Sequence, residues 1–235
     1  MKSYYYKLAN LVLFAIIPLY CFSQNNSVNG VYIGSKYRAI IIEDDKFTIL
    51  SSLYVGGLEM FNNIDPVIAF GRVQYYDSNY IELNSADYNK IVSRSITYSE
   101  SQKSTIKDSV LLRFFFPFSG QYKILISIGN RNKYELINQP EIKIPKSELK
   151  DNRKIGFEIY NLDFIRNIGI MNDYCRITSF RSLSYTIKEY YTNCISIHIP
   201  ELTNTFFRYY VIKGEYARIV DNDLEWRGEF YYLKE

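Results

Sequence analysis

The chain has 235 residues, of which 47% are hydrophobic and 23% charged, and a formal net charge of +3 at pH 7. That hydrophobic share excludes a disordered or collagen-like chain, and the length allows one large or two small domains with a sizeable core. The charge excess is small and no basic block occurs, so no nucleic-acid partner is expected.

Tyrosine (24 residues) and phenylalanine (15) are unusually abundant. Both favour strands and suit pleated, half-buried surfaces. An aromatic-rich binding face, on which sugars or other flat ligands stack, is a second reading.

Met1 to Lys7 carries Lys2 and Lys7 and no acid, and Leu8 to Phe22 is almost wholly apolar. A basic segment before an apolar run of this length reads as a secretion signal. A membrane span takes roughly 20 apolar residues, and Pro18 ends this run sooner. Cys21 and Ser23 supply the small residues of a cut before Gln24. Residues 1–23 are therefore expected to be removed, leaving a secreted or periplasmic protein. The alternative is an outer-membrane lipoprotein anchored through Cys21, which the bulky Tyr20 disfavours. Only in that case is the membrane a partner.

Gly30 to Gly34, Tyr37 to Glu43 and Phe47 to Tyr54 read as strands. Asp44, Asp45 and Lys46 make the turn between the last two, because acidic side chains bond nearby backbone donors. Ala69 to Tyr76 and Tyr80 to Ser85 form a hairpin around Asp77-Ser78-Asn79, with Asn79 suited to left-handed backbone. Ser85 to Lys107 turns polar and marks a domain seam, with a strand expected over Ile91 to Thr97. Ser109 to Phe116 is apolar on both parities apart from Arg113, which predicts a strand buried on both faces.

Tyr122 to Ile128 alternates cleanly, Gly129 to Asn132 turns, and Lys133 to Leu136 returns. Glu141 to Ile144, Lys154 to Tyr160, Ser184 to Tyr190 and Asn193 to Ile199 add strands. Asp163 to Cys175 is irregular, with room for one helical turn. Phe206 to Val220 and Leu224 to Leu233 flank Asp221-Asn222-Asp223. This acidic turn parallels Asp77-Ser78-Asn79, and Gly71 and Gly214 stand upstream of the two. The terminal hairpin is thus expected to complete the N-terminal sheet. Trp226 shares parity with Leu224, Gly228 and Phe230, a face expected to pack inward.

The expected fold is all-β. After the signal peptide comes an antiparallel sheet or half-barrel over 24–100. A β-sandwich-like segment covers 101–200, and the hairpin over 201–235 packs back on the first part. One continuous sandwich is the alternative.

The stretch NGVYIGSKYRAIIIEDDKFTIL, followed by FGRVQYYDSNYIEL, resembles small extracytoplasmic bacterial β-proteins with lipocalin-like or meander beginnings. Gly30, Tyr32, Asp45, Phe47 and Gly71 carry the resemblance. It implies a compartment and a fold class more than an activity.

Chemistry-bearing residues are few. His198 is the only histidine, on one strand face with Cys194 and Ser196. A nucleophilic pair needs about 2.6–3.2 Å, whereas at about 3.3 Å per residue Cys194 and His198 stand roughly 13 Å apart and Ser196 and His198 roughly 7 Å. His198 therefore reads as a surface or interface residue. Cys175 and Cys194 remain after cleavage and permit one disulfide, closing a loop of about 20 residues worth about 3 kcal/mol. Buried free thiols are the alternative. One histidine and two cysteines are too few for a dedicated zinc site.

Asp221, Asp223 and Glu225 resemble the start of an oxygen-rich calcium loop, but Trp226 stands where that loop needs glycine. A solvated hairpin turn is the expected reading. Glu158, Asp163, Glu225 and Glu229 are the dispersed carboxylates that a glycoside hydrolase would use. No GxSxG, Walker or dinucleotide motif is present, and no cofactor is expected. The favoured reading is a non-enzymatic binding or structural module with an extracellular glycan, lipid or protein partner. The alternative is a glycan-directed hydrolase.

Overall fold

The computed structural model describes residues 28–34, 39–50, 67–129, 131–150, 152–163 and 176–234. Residues 1–27, on which the expected secretion signal and Cys21 fall, lie outside these residues, as do Cys175 and the rest of 164–175 in the irregular stretch.

Five strands come first: β1 (Gly30–Gly34), β2 (Ala39–Glu43), β3 (Lys46–Leu50), β4 (Val67–Tyr75) and β5 (Tyr80–Ser85). The chain returns to them only at its end, through β15 (Glu215–Val220), β16 (Asp223–Trp226) and β17 (Glu229–Leu233). These eight strands form a closed antiparallel barrel in the order β1-β17-β16-β15-β5-β4-β3-β2. Of the half-barrel expected over 24–100, β1 to β5 form part of a closed barrel, whereas the chain beyond Ser85 leaves it. Closure rests on Tyr32 opposite Leu233 and on Glu215 opposite Leu83. Closing the sheet removes the unpaired edges that would otherwise invite aggregation.

An eight-stranded barrel is just wide enough for side chains to fill it or for one small ligand. Here side chains fill it. Tyr32, Ile40, Ile42, Phe47, Ile49, Ile81, Leu83, Leu224 and Tyr231 are all at most 2% exposed in one core cluster. Alternation along each strand supplies them, as in β3, where Phe47 and Ile49 point inward. Tyr32 is tolerated in this core because its hydroxyl donates to the Val28 carbonyl at 2.8 Å.

Between β5 and β15 the chain builds a second body. It contains α1 (Tyr88–Ser95), β6 (Thr97–Ser101), β7 (Ser109–Phe115), β8 (Tyr122–Ile128), β9 (Arg131–Ile137) and β10 (Glu141–Pro145). Then follow β11 (Lys154–Asn161), β12 (Ser179–Arg181), β13 (Tyr185–Thr186) and β14 (Cys194–His198). One sheet has the order β10-β7-β14-β6, with β7 and β14 parallel. The other runs β12-β11-β8-β9, with β13 also on β11. Both sheets face one core: Val110, Leu112, Phe114, Ile195 and Ile197 from the first, Ile124, Ile126, Phe157 and Ile159 from the second. Phe114 and Phe157 meet edge to face, with ring centres 5.2 Å apart.

Strand β7 is buried on both faces over part of its length, as its sequence implied. Leu111, on the outer parity, joins Cys194 and Ile106 in a small cluster under the 102–108 loop. Asn193 holds that loop: its amide donates to the carbonyls of Lys103 and Ile106, and its oxygen accepts from the Lys103 N–H.

Several elements differ from the sequence reading. The strand expected over Ile91 to Thr97 is helix α1. Asp87 caps it by accepting from the Lys90 N–H at 3.0 Å, and Tyr88 and Val92 share its one buried face. The strand expected over Phe206 to Val220 begins only at Glu215. A helical turn takes Phe206–Arg208, and Gly214 at φ +62° breaks the extended chain. The strand expected over Ser184 to Tyr190 is reduced to β13, because the N–H groups of Lys188 and Glu189 go to a side chain instead.

The acidic turns are tighter than their sequences suggested. Lys46 belongs to β3, opposite Glu43, and Asp223 belongs to β16, opposite Val220. Asp221 and Asn222 both take positive φ, the geometry that matches the twist of a two-residue hairpin. Asn79 keeps a negative φ; its N–H donates to Asp77 Oδ1 at 2.7 Å instead. A further turn at Arg227 and Gly228, both left-handed, divides the last predicted strand into β16 and β17. It resets the parity: Leu224 and Trp226 are buried, but Phe230 is exposed and Tyr231 takes the inward place.

Candidate binding cleft

The four-stranded sheet leaves one end of its outer face open, and strand register decides what stands there. Arg113 of β7 lies opposite Glu141 of β10 and Ser196 of β14. Two residues further on, Phe115 lies opposite His198, and His198 opposite Thr97 of β6. Side chains two apart share a face. The outcome is a polar row, Glu141–Arg113–Ser196, beside a second row, Phe115–His198–Thr97.

Glu141 and Arg113 of the first row and all three residues of the second border an open cleft of about 810 Å³. Phe116, Pro117, Phe118, Tyr122, Pro140 and Pro200 supply much of the rest of its lining. The Phe115 and His198 rings are stacked, with centres 4.6 Å apart and planes 11° from parallel. Phe115 is 45% exposed, so its ring is available to a ligand. Phe116 and Tyr122 meet edge to face at 5.0 Å. Arg113 Nε donates to Glu141 Oε2 at 3.0 Å, which holds both planar groups at the polar border. Glu141 is the one carboxylate among the described lining residues.

His198 is thus a surface residue, as its sequence context implied, and its working partner is a phenylalanine. Cys194, four residues away on the same strand, is buried under the 102–108 loop and forms no disulfide among the described residues. Cys175 lies outside the described residues, so the proposed bridge between the two is not placed.

The acidic candidates serve the barrel. Asp221 is exposed in its turn. Asp223 Oδ1 accepts from the Leu233 N–H at 2.8 Å, and Glu225 lies 3.8 Å from Arg218. Trp226 is buried, its indole N–H donates to Glu215 Oε2 at 3.1 Å, and the Arg227 guanidinium lies over its ring. Among the described residues no three His, Cys, Asp or Glu side chains converge as metal ligands. Of the four dispersed carboxylates, Glu158 and Asp163 stand in or beside β11, while Glu225 and Glu229 belong to the barrel. Glu158 accepts from the Ser179 hydroxyl, and Asp163 from the Gln121 N–H.

Sequence reasoning missed Phe115, Arg113 and Glu141 as site residues. One signal was available: in SVLLRFFF, Arg113 and Phe115 share the parity opposite to Val110, Leu112 and Phe114. It also missed Glu100. This carboxylate accepts from the N–H groups of Lys188 and Glu189 and from the hydroxyls of Tyr185 and Thr192. Burial alone would raise its pKa, but these four donors prevail and hold it down to about 2.

The chain was compared with protein-family models, curated proteins and solved structures. None gives a match.

Proposed function

We propose that the protein is a secreted, non-enzymatic binding module that holds an uncharged stretch of glycan in the aromatic cleft. The observation that carries this reading is the pairing of the two rows. A ring platform of Phe115 and His198 stands beside planar hydrogen-bonding groups on Arg113 and Glu141. A sugar ring presents an apolar face and a rim of hydroxyls, so it matches that arrangement. Sites for small ligands combine apolar walls with a few placed polar groups in the same way.

The cleft favours binding over hydrolysis. Glycoside hydrolysis ordinarily uses two carboxyl groups about 5–9 Å apart. This lining offers Glu141 alone, already paired with Arg113. The filled barrel interior argues against a lipid carried inside it. In this reading the two-sheet body is a β-sandwich set into the barrel, which serves as its rigid base. Secretion to the periplasm or beyond rests on the basic and apolar N-terminus and the cut before Gln24. Titration with neutral oligosaccharides, with Phe115→Ala as the control, tests the function.

A further inference from the structure

A second pocket shares no lining residue with the cleft. It is formed where the helical turn Lys146–Leu149 meets the loop after β13. Its volume is about 300 Å³, and its lining comprises Lys146, Lys150, Arg153, Tyr190, Ser147 and Thr192 over an apolar floor. Val110, Leu149 and Ile187 make that floor and are buried. Three cations thus border one small pocket, and the described lining contains no carboxylate.

The described carboxylate of the helical turn is occupied elsewhere. Glu148 accepts the Tyr134 hydroxyl at 2.6 Å. Lys146 and Lys150 make no ion pair among the described residues. Arg153 donates to the Glu189 carbonyl and lies over the Tyr190 ring, 4.8 Å from its centre. The wall is preorganised: Glu100 ties down Lys188, Glu189 and Thr192 from behind.

We propose that this pocket binds the oxyanion group of an acidic saccharide, with Lys146, Lys150 and Arg153 holding the anion and Tyr190 lying under the sugar ring. Lys and Arg donors make charge-assisted hydrogen bonds to such oxygens. A bare anion would need no ring platform, yet Tyr190 is 90% exposed beside the cations. The pocket also has more room than one oxyanion fills. A nucleic acid is the poorer fit, because the chain carries a net charge of only +3 and no basic block. Sulfate esters, phosphate esters and uronates all carry the required group. The site is separate from the aromatic cleft and stands without it.

The test is calorimetry at low salt with five probes: a sulfated tetrasaccharide, a uronate tetrasaccharide, their neutral counterpart, inorganic sulfate and a single-stranded oligonucleotide of matched charge. At least one acidic tetrasaccharide is expected to bind about tenfold tighter than the neutral one, the worth of one good charge-assisted contact. Which of the two it is identifies the anion. Lys146→Gln combined with Lys150→Gln should abolish that preference, and both side chains are exposed, so folding is not at risk. Phe115→Ala should leave the preference intact even if it abolishes neutral-sugar binding. The proposal is overturned if neither acidic probe is preferred or if the double variant keeps the preference. It is also overturned if inorganic sulfate or the oligonucleotide binds as tightly as the saccharide.

Discussion

The Tyr185 hydroxyl donates to Glu100 Oε1 at 2.5 Å, joining the short strand β13 to the edge strand β6. The Tyr185 and Tyr98 rings stack beside this bond, with centres 4.0 Å apart. Burial first, and then the Glu100 carboxylate, push the Tyr185 hydroxyl's pKa far up, so it stays a donor at every ordinary pH. One carboxylate thereby fixes the loop that walls the basic pocket.

Glu100→Gln should cost about 1–3 kcal/mol, because it replaces an ionised acceptor of four hydrogen bonds by a neutral amide. The pH dependence has a definite sign. The folded pKa lies below the ordinary 4.5, so the unfolded chain binds the proton more readily. The contribution is fully present above about 4.5 and is lost as the pH falls towards about 2. Urea unfolding at pH 7 and pH 3 should show a smaller loss in the Gln variant than in the parent. An equal loss in both would remove Glu100 from the account.

The barrel and the two-sheet body share an aromatic junction. Tyr88 stacks on Tyr209 at 4.6 Å, and Phe70 meets both rings edge to face. The Tyr88 hydroxyl accepts from the Phe70 N–H and donates to the Phe70 carbonyl. Tyr88→Phe should cost about 1–3 kcal/mol for the stranded Phe70 N–H, since the Phe70 carbonyl keeps its bond from the Ala86 N–H, and Tyr88→Ala about 3–5 kcal/mol for the cavity as well. Denaturant midpoints measure both. The same cost for the two variants would show that the ring contributes nothing.

Two glycines should respond differently to alanine. A Cβ on Gly71 would stand 2.0 Å from the Asn84 carbonyl oxygen, inside the β4–β5 ladder. Gly71→Ala should cost about 3 kcal/mol or more, since backbone has to move. Gly228 is left-handed but has nothing within 4 Å of that position. Gly228→Ala should cost only about 1 kcal/mol, from its dihedral angles. Thermal unfolding of the two variants checks the order, and its reversal would contradict the register of β4 and β5.

These contrasts show what was legible in the sequence. Ile124, Ile126 and Ile128 alternate and form a strand as read, because burial on one face of a sheet writes period two directly into the chain. Helix α1 was hidden: Tyr88 and Val92 are its two buried residues, too few to show a helical period among polar neighbours. Turn chemistry was recognised at Asp221-Asn222, but its length was not, since both two- and three-residue loops accept such residues. The cleft was illegible for a different reason. Phe115 and His198 meet through a parallel pairing of distant strands, and no local pattern records that register. In the basic pocket, Lys146 and Lys150 are close in sequence, whereas Tyr190 arrives from another segment.

Compartment is tested by intact mass of the protein recovered from its native host. Cleavage before Gln24 predicts a chain that begins there without acyl groups. A mass beginning at an acylated Cys21 would show that Tyr20 does not prevent lipidation, and would place the protein on a membrane.

The central claim is that the aromatic cleft binds neutral glycan without cutting it. Its most direct test is calorimetric titration with hexasaccharides of glucose, mannose and N-acetylglucosamine, followed by chromatography of the recovered sugar. The account predicts saturable binding of at least one hexasaccharide, weakened at least about tenfold by Phe115→Ala, as loss of a central aromatic anchor implies. The sugar should be recovered intact. Binding unchanged by Phe115→Ala, binding of none of the three, or shortened sugar after incubation would contradict it.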